Sequence, residues 1–169
     1  AQAIDYGLVG PNLRGSGVPF DLRKDEPYSV YPKFDFKVCV GTGERGTLGD
    51  CFDRYMVRIN EMRESVKICQ QALSRISPSG VYDCADYRYV PPPKDRVYTE
   101  MEALIQHFLL YSQGFNVPKG ESYVPVEGPR GEHGCYVVSD GTNRPWRVHM
   151  RSPGLMASQA LHKFVVGGM

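Results

Sequence analysis

The chain has 169 residues and a mass of 19.0 kDa, with 41% hydrophobic residues, enough for one core. Twenty basic residues against nineteen acidic ones leave a formal charge of +1, which argues against a nucleic-acid or anionic-membrane partner. No apolar run approaches the roughly 18 residues of a membrane span, and the N-terminus lacks the layout of a secretory signal, so we expect a soluble segment.

Neither end reads as natural. The chain starts at Ala1-Gln2-Ala3-Ile4-Asp5 without an initiator Met and stops just after an apolar helical pattern, and we expect both ends to be cuts in a longer chain. Cys39, Cys51, Cys69, Cys84 and Cys135 are odd in number and form no C-x-x-C pair. That argues against a disulfide framework and against a zinc or iron-sulfur site built from this segment, and favours reduced thiols in a cytosolic setting. His107, His133, His149 and His162 are scattered and read as packing or surface residues.

In chain order, 7–32 is dense in Gly, Pro and charge and reads as an ordered, irregular arm pinned by Phe20, Tyr28 and Tyr31. Phe34, Phe36, Val38 and Val40 then alternate with Asp35, Lys37 and Cys39, which predicts one strand with a buried face. Next, Gly41-Thr42-Gly43-Glu44-Arg45-Gly46 spells the G-x-G-x-x-G of a dinucleotide-binding turn. Its context is wrong: Thr47-Leu48-Gly49 prolongs the loop, Asp50 would repel a phosphate at the helix start, and no parallel strand follows.

Asp50 is placed to cap a helix running to about Arg75, along which Tyr55, Ile59, Met62, Val66, Cys69 and Leu73 form a stripe spaced for a core. Val57 and Ile68 lie on the opposite side, so we expect the helix to sit between neighbours. A connector over 77–94, with a Pro-Ser-Gly turn and Pro91-Pro92-Pro93, leads to a second helix at about 95–113, stopped by Gly114. On it Val97, Met101, Leu104, Ile105 and Phe108 share a face. Strands at 122–127, 135–139 and 146–150 form an antiparallel meander, and 155–165 is helical.

Four blocks carry a family resemblance: GPNLRGSGVPFDLRKDEPYSVY, GDCFDRYMVRINEMRESVKI, MEALIQHFLLYSQGF and PKGESYVPVEGPRGEHGCYVVSDGTNRPWRVHMRSPG. They resemble, in order and over about Ile4 to Leu161, the 49-kDa subunit of respiratory complex I, whose bacterial form is the D-subunit of NADH-quinone oxidoreductase. That family is related to the large subunit of nickel-iron hydrogenases. The resemblance makes the glycine fingerprint a connecting turn.

The resemblance implies a peripheral subunit on the cytoplasmic face of the inner membrane, or on the matrix side in mitochondria. It implies a partner subunit bearing an iron-sulfur cluster, a small hydrophilic subunit, a membrane-arm subunit, and quinone as substrate. NAD would be handled by another subunit, and neither a cofactor nor a metal would be held by this segment. The quinone-headgroup histidine and tyrosine of the family fall before Ala1, and its second pocket stretch falls after Met169.

Pro129, Arg130 and Gly131 match the family's loop beside the quinone cavity, where a fixed guanidinium would stabilise negative charge on a quinone oxygen. The other reading has Arg130 tying the hairpin loop to Glu132 or Glu127. Arg14, Arg23, Arg54, Arg58, Glu61 and Arg63 match family positions too and are expected to serve structure and assembly. Two further readings stay open: a membrane-bound nickel-iron hydrogenase subunit, and a non-catalytic scaffold.

The fold class expected is α+β: two long amphipathic helices plus a C-terminal helix with a small antiparallel sheet, as a fragment of a hydrogenase-large-subunit-like fold. We expect one domain over 1–169. It divides into an arm at 1–33, the strand, long helix, proline-rich connector and second helix at 34–113, and the meander and terminal helix at 114–169.

Overall fold

The computed structural model describes residues 2–77 and 79–166, which leaves Ala1, Pro78 of the expected Pro-Ser-Gly turn, and the last three residues outside the described part. The chain groups into two compact units. The first comprises the chain up to Ile76, Val124–Cys135 and the chain from Met150 onward; the second comprises Ser77–Tyr123 and Tyr136–His149.

In the first unit the expected irregular arm folds into short helices: α1 (Gln2–Asp5), α2 (Pro11–Gly15), α3 (Leu22–Asp25) and a 3-10 turn at Tyr31–Lys33. Pro11 opens α2, where its missing N–H would have no intrahelical partner. This arm supplies most of the core. Leu8, Leu13 and Ala160 are buried together, with Ala3, Tyr6, Val18, Phe20, Ala157 and Phe164 packed round them.

Helix α4 (Cys51–Arg75) matches the predicted span, and Asp50 caps it by accepting from the Asp53 amide at 2.8 Å. Its apolar stripe, however, does not face a core. Tyr55, Met62, Val66, Cys69 and Leu73 are exposed and Ile59 is half-buried, whereas Val57, on the opposite side, is 2% exposed. The reason is the neighbour: α4 packs on α2, where a Cβ on Gly15 would lie 2.9 Å from Arg54 Cγ. Only a glycine lets the two helices approach so closely.

The strand expected over 34–40 does not form. The segment lies along α4, and α4 side chains take the backbone bonds a second strand would have taken. Asp35 N–H donates to Gln71 Oε1 at 2.9 Å, Gln71 Nε2 donates to the Asp35 carbonyl at 2.7 Å, and Lys37 N–H donates to Glu64 at 3.0 Å. Arg75 also donates to the Lys33 carbonyl. Of the alternating residues Phe36 alone is fully buried, its ring covered by the Arg23 guanidinium at 4.8 Å and the Lys24 ammonium at 4.3 Å.

The meander is present as β1 (Gly120–Gly128), β2 (Gly131–Ser139) and β3 (Pro145–Arg151), in that order across the sheet. Each strand is longer than predicted, and the first turn contracts to Pro129 and Arg130 alone. The helix expected at 155–165 is two: α7 (Pro153–Gln159) and α8 (Leu161–Val165), parted at Ala160, whose methyl is buried in the core.

In the second unit the helix expected over 95–113 is likewise divided, into α5 (Lys94–Thr99) and α6 (Met101–Ser112). Glu100 between them is extended, with φ −116° and ψ 122°. The described part thus has one long helix where two were expected. Gly114, at φ +71°, ends α6 as predicted, its N–H donating to the Leu109 carbonyl at 3.1 Å. Along α6, Ala103 is buried while Met101, Leu104, Ile105 and Phe108 are exposed.

The burial pattern of α4 sets a measurable contrast. Val57→Ala is expected to lower the unfolding free energy of the chain by roughly 2 kcal/mol, and Leu73→Ala, in the predicted stripe, by less than about 0.5 kcal/mol. Denaturant titration followed by circular dichroism checks the order; a larger loss from Leu73→Ala would place the core on the stripe.

Candidate functional site

The Pro129-Arg130 turn is seated on the arm by two glycines. A Cβ on Gly10, at φ +67°, would fall 2.4 Å from Gly131 Cα, and one on Gly131, at φ +126°, would fall 2.6 Å from Val9 Cγ2. Backbone lies against backbone, and both positions hold a left-handed or mirror conformation that glycine alone adopts freely. The turn is therefore fixed in place while Arg130 at its tip is exposed.

Neither proposed carboxylate holds Arg130. Glu132 pairs with Arg151 at 3.1 Å and Glu127 pairs with Arg14 at 2.9 Å. Among the described residues Arg130 has no ion-pair partner.

Beside the turn lies a buried ion cluster. Arg14, 2% exposed, donates from Nε to Glu61 at 2.6 Å and from Nη1 to Glu127 Oε1 and the Phe20 carbonyl, both at 2.9 Å. Asp21, 1% exposed, lies 3.9 Å from Arg14 and receives both guanidinium arms of Arg23, at 2.9 and 2.6 Å. It also caps α3 through the Arg23 amide at 3.0 Å. The second oxygen of Glu127 accepts from the Leu22 N–H at 3.5 Å, and the Glu127 N–H donates to the Tyr28 hydroxyl at 3.0 Å.

Burial works against every charge here, and the partners decide the outcome. It disfavours the Arg14 cation, but Glu61 and Glu127 outweigh it and raise the guanidinium's pKa further. It pushes the Asp21 carboxyl up, but the bonds from Arg23 hold it below the ordinary carboxylate range. Burial also pushes Glu127 up, and there Arg14 does not restore the usual value. The Tyr28 hydroxyl is raised by burial too.

These groups wall a cleft of about 500 Å³, lined by Arg14, Arg23, Glu61 and Glu127 on its charged side and by Met62 and Pro129 among its apolar contacts. Arg58 reaches its rim from α4, donating to Asn12 Oδ1 at 2.8 Å and to the Arg54 carbonyl at 2.7 Å. The structure thus gathers Arg14, Arg23, Arg58, Glu61 and Pro129 around one cleft, with Arg130 and Gly131 next along the chain. Arg54 and Arg63 lie apart. Arg54 bonds the Gly49 carbonyl at 2.7 Å and covers the Phe164 ring at 4.7 Å, and Arg63 bonds Asn60 at 3.1 Å.

Sequence reasoning missed Asp21, and it saw Glu127 only as a partner for Arg130. Asp21 carried a signal, since an Asp before Leu22-Arg23-Lys24-Asp25 is a helix cap. The partners of Arg14 lie 47 and 113 residues away, and no local pattern announces them.

The glycine fingerprint folds as a turn. No strand precedes it, and two of its glycine amides are engaged: Gly41 N–H donates to the Arg14 carbonyl at 2.9 Å and Gly43 N–H to both oxygens of Asp53, at 3.2 and 3.0 Å, while beyond it Gly49 N–H donates to Asp53 Oδ2 at 3.1 Å. A buried carboxylate occupies the donors that a phosphate would need.

Against known proteins, a family model described as "Respiratory-chain NADH dehydrogenase, 49 Kd subunit" matches residues 1–169. The chain is 50% identical to the NADH-quinone oxidoreductase D-subunit of Anaplasma marginale (strain St. Maries), over 100% of this chain and 41% of that protein. It is 49% identical to the D-subunit of Anaplasma phagocytophilum (strain HZ), over 99% of this chain and 41% of the relative. With the D-subunit of Wolbachia sp. subsp. Brugia malayi (strain TRS) the identity is 48%, over 99% and 42%. The chain thus spans about two fifths of the length of the curated relatives it matches.

The pairing of Asp21 has a pH signature. Its carboxylate is held below its ordinary pKa, so its contribution to stability is present above the unfolded value, near 3.9, and is lost as pH falls through the lower folded one. Asp21→Asn is expected to flatten that acid limb in thermal melts taken between about pH 5 and pH 2. It should also cost roughly 3 kcal/mol at neutral pH by leaving Arg23 unpaired. An acid limb identical to that of the unsubstituted chain would assign the limb to other carboxylates.

Proposed function

Because the chain belongs to the family of the 49-kDa subunit of respiratory-chain NADH dehydrogenase, we propose that it is part of the quinone-reducing core subunit of an NADH:quinone oxidoreductase. The match to that family over residues 1–169 carries the reading. In it, electrons come from an iron-sulfur cluster on a partner subunit, NADH is oxidised on another subunit, and ion pumping takes place elsewhere in the complex. The partners are the cluster-bearing subunit, a small hydrophilic subunit and a membrane-arm subunit, with this subunit peripheral to the membrane. That placement is supported by the helices: among the described residues none is long and apolar enough to cross a membrane.

Within this reading Arg130 borders the quinone cavity. Two features support it: the turn is locked by Gly10 and Gly131, and no carboxylate among the described residues neutralises the guanidinium. A quinone accepting electrons develops negative charge on its oxygens, and a cation carried on a fixed backbone beside that point lowers the energy of the charged species. Arg14 and Arg23 are unsuited to that task, being neutralised by Glu61, Glu127 and Asp21. Their part is to hold the wall.

The test is Arg130→Ala in the full-length subunit within the assembled complex. Quinone reductase turnover is expected to fall about tenfold or more, with oxidation of NADH by a water-soluble acceptor and assembly on native gels unchanged. Unaltered quinone turnover in an intact complex would leave this segment a scaffold.

A further inference from the structure

We propose that Glu127 is the proton-holding member of the Arg14 cluster, binding one proton when negative charge develops in the adjoining cleft, and that it is thereby a positioning residue for quinone reduction. This rests on the reading of the cleft given above.

The composition of the cluster carries the argument. Within the ion-paired network two guanidiniums, Arg14 and Arg23, face three carboxylates, Asp21, Glu61 and Glu127, while Arg58, exposed at the cleft rim, is bonded to Asn12 and the Arg54 carbonyl instead. Three of the five side chains, those of Arg14, Asp21 and Glu127, are all but closed to solvent, at 2%, 1% and 4% exposed. A closed cluster with one carboxylate in excess is relieved by one proton.

Geometry says which carboxylate takes it. Asp21 receives three bonds from Arg23, two from the guanidinium and one from the amide, and is committed to the ionised form. Glu61 is the most exposed of the three, at 18%, and holds Arg14 Nε at 2.6 Å. Glu127 spends Oε1 on Arg14, while among the described residues Oε2 accepts only from the Leu22 amide, at a long 3.5 Å. Burial decides between the two glutamates: Glu61 keeps contact with solvent, which steadies its charge, whereas Glu127 is closed off and its Oε2 has room for a proton.

The charged and titratable groups facing Glu127 are Arg14 from α2, Asp21 and Arg23 from the start of α3, and Tyr28 from the arm, with Glu61 and Arg58 across the cleft from α4. Burial and the nearby Asp21 both push the Glu127 carboxyl above its ordinary range.

Quinone takes two electrons and two protons to become quinol. As the electrons arrive, the Glu127 carboxylate takes a proton from solvent on Oε2, and the cluster becomes neutral. When the quinol, carrying its own two protons, leaves, Glu127 returns its proton to solvent. At pH values above the pKa that Glu127 reaches once that negative charge has developed, the proton is not taken up and the cluster keeps its extra negative charge, which opposes the incoming electrons, so turnover falls on the alkaline side.

The experiment is the pH profile of quinone reductase in the assembled complex. Glu127→Gln keeps the shape and fixes the neutral state, so the alkaline decline should vanish and turnover at the alkaline end should exceed wild type about fivefold. Reduction of the water-soluble acceptor should be unmoved. An alkaline limb unchanged in Glu127→Gln overturns the inference. Where that variant does not assemble, Glu61→Gln leaves two carboxylates to two guanidiniums, so the cluster is neutral with Glu127 ionised and the alkaline decline should vanish there too; an unchanged limb again overturns it. If Arg130→Ala lowers quinone turnover while the limb is unchanged, only the Glu127 assignment fails. If Arg130→Ala has no effect in an intact complex, the reading beneath it fails first.

Discussion

A guanidinium cannot be taken out of water without partners, and Arg14 is almost wholly enclosed. Removing an ion of that size from solvent costs several kcal/mol even after the protein relaxes. The fold meets that cost by bringing Glu61 from α4, Glu127 from β1 and the Phe20 carbonyl from the arm onto one side chain. Each is placed by a different part of the first unit. The arm, the long helix and the strand leading to the Pro129-Arg130 turn therefore share one electrostatic requirement, and none can shift far without leaving a buried charge unpaired.

The same requirement explains why Arg130 differs from the other arginines. Arg14 uses Glu127, Arg151 uses Glu132, and Arg23 uses Asp21. The carboxylates near the turn are therefore spoken for. Close contact between Gly10 and Gly131 fixes the backbone of the turn, with no side-chain bond from Arg130 among the described residues. The exposed guanidinium of Arg130 thus keeps its hydrogen-bonding capacity while its backbone is fixed.

What was legible in the sequence was what is local. Asp50 as a helix cap, Gly114 as a helix stop and the three-strand meander all follow from patterns within a few residues. Periodicity misled where it was asked to say more. The Tyr55 to Leu73 spacing correctly gave a helix, but an apolar stripe does not tell what lies against it, and the buried residue was Val57 on the other side. The alternation from Phe34 to Val40 looked like a strand because extended backbone has the same period whether its amides meet another strand or, as here, Gln71 and Glu64 of a helix. The single helices expected at 95–113 and 155–165 broke at Glu100 and Ala160, both good helix formers, so propensity gave no sign of the breaks.

For the candidate site the division is sharper. The conjunction of Arg14 with Glu61 and Glu127 spans 47 and 113 residues, and only the folded chain assembles it. Arg23 and Asp21, two residues apart, need only the α3 cap to meet. The cleft is thus charged by two kinds of pair. The local one is committed by the α3 turn itself. The long-range one depends on α2, α4 and β1 being in register, and its spare carboxylate oxygen, Glu127 Oε2, exists only once they are. Whatever proton chemistry the cleft supports is consequently a property of the assembled unit, coupled to its packing through Arg14.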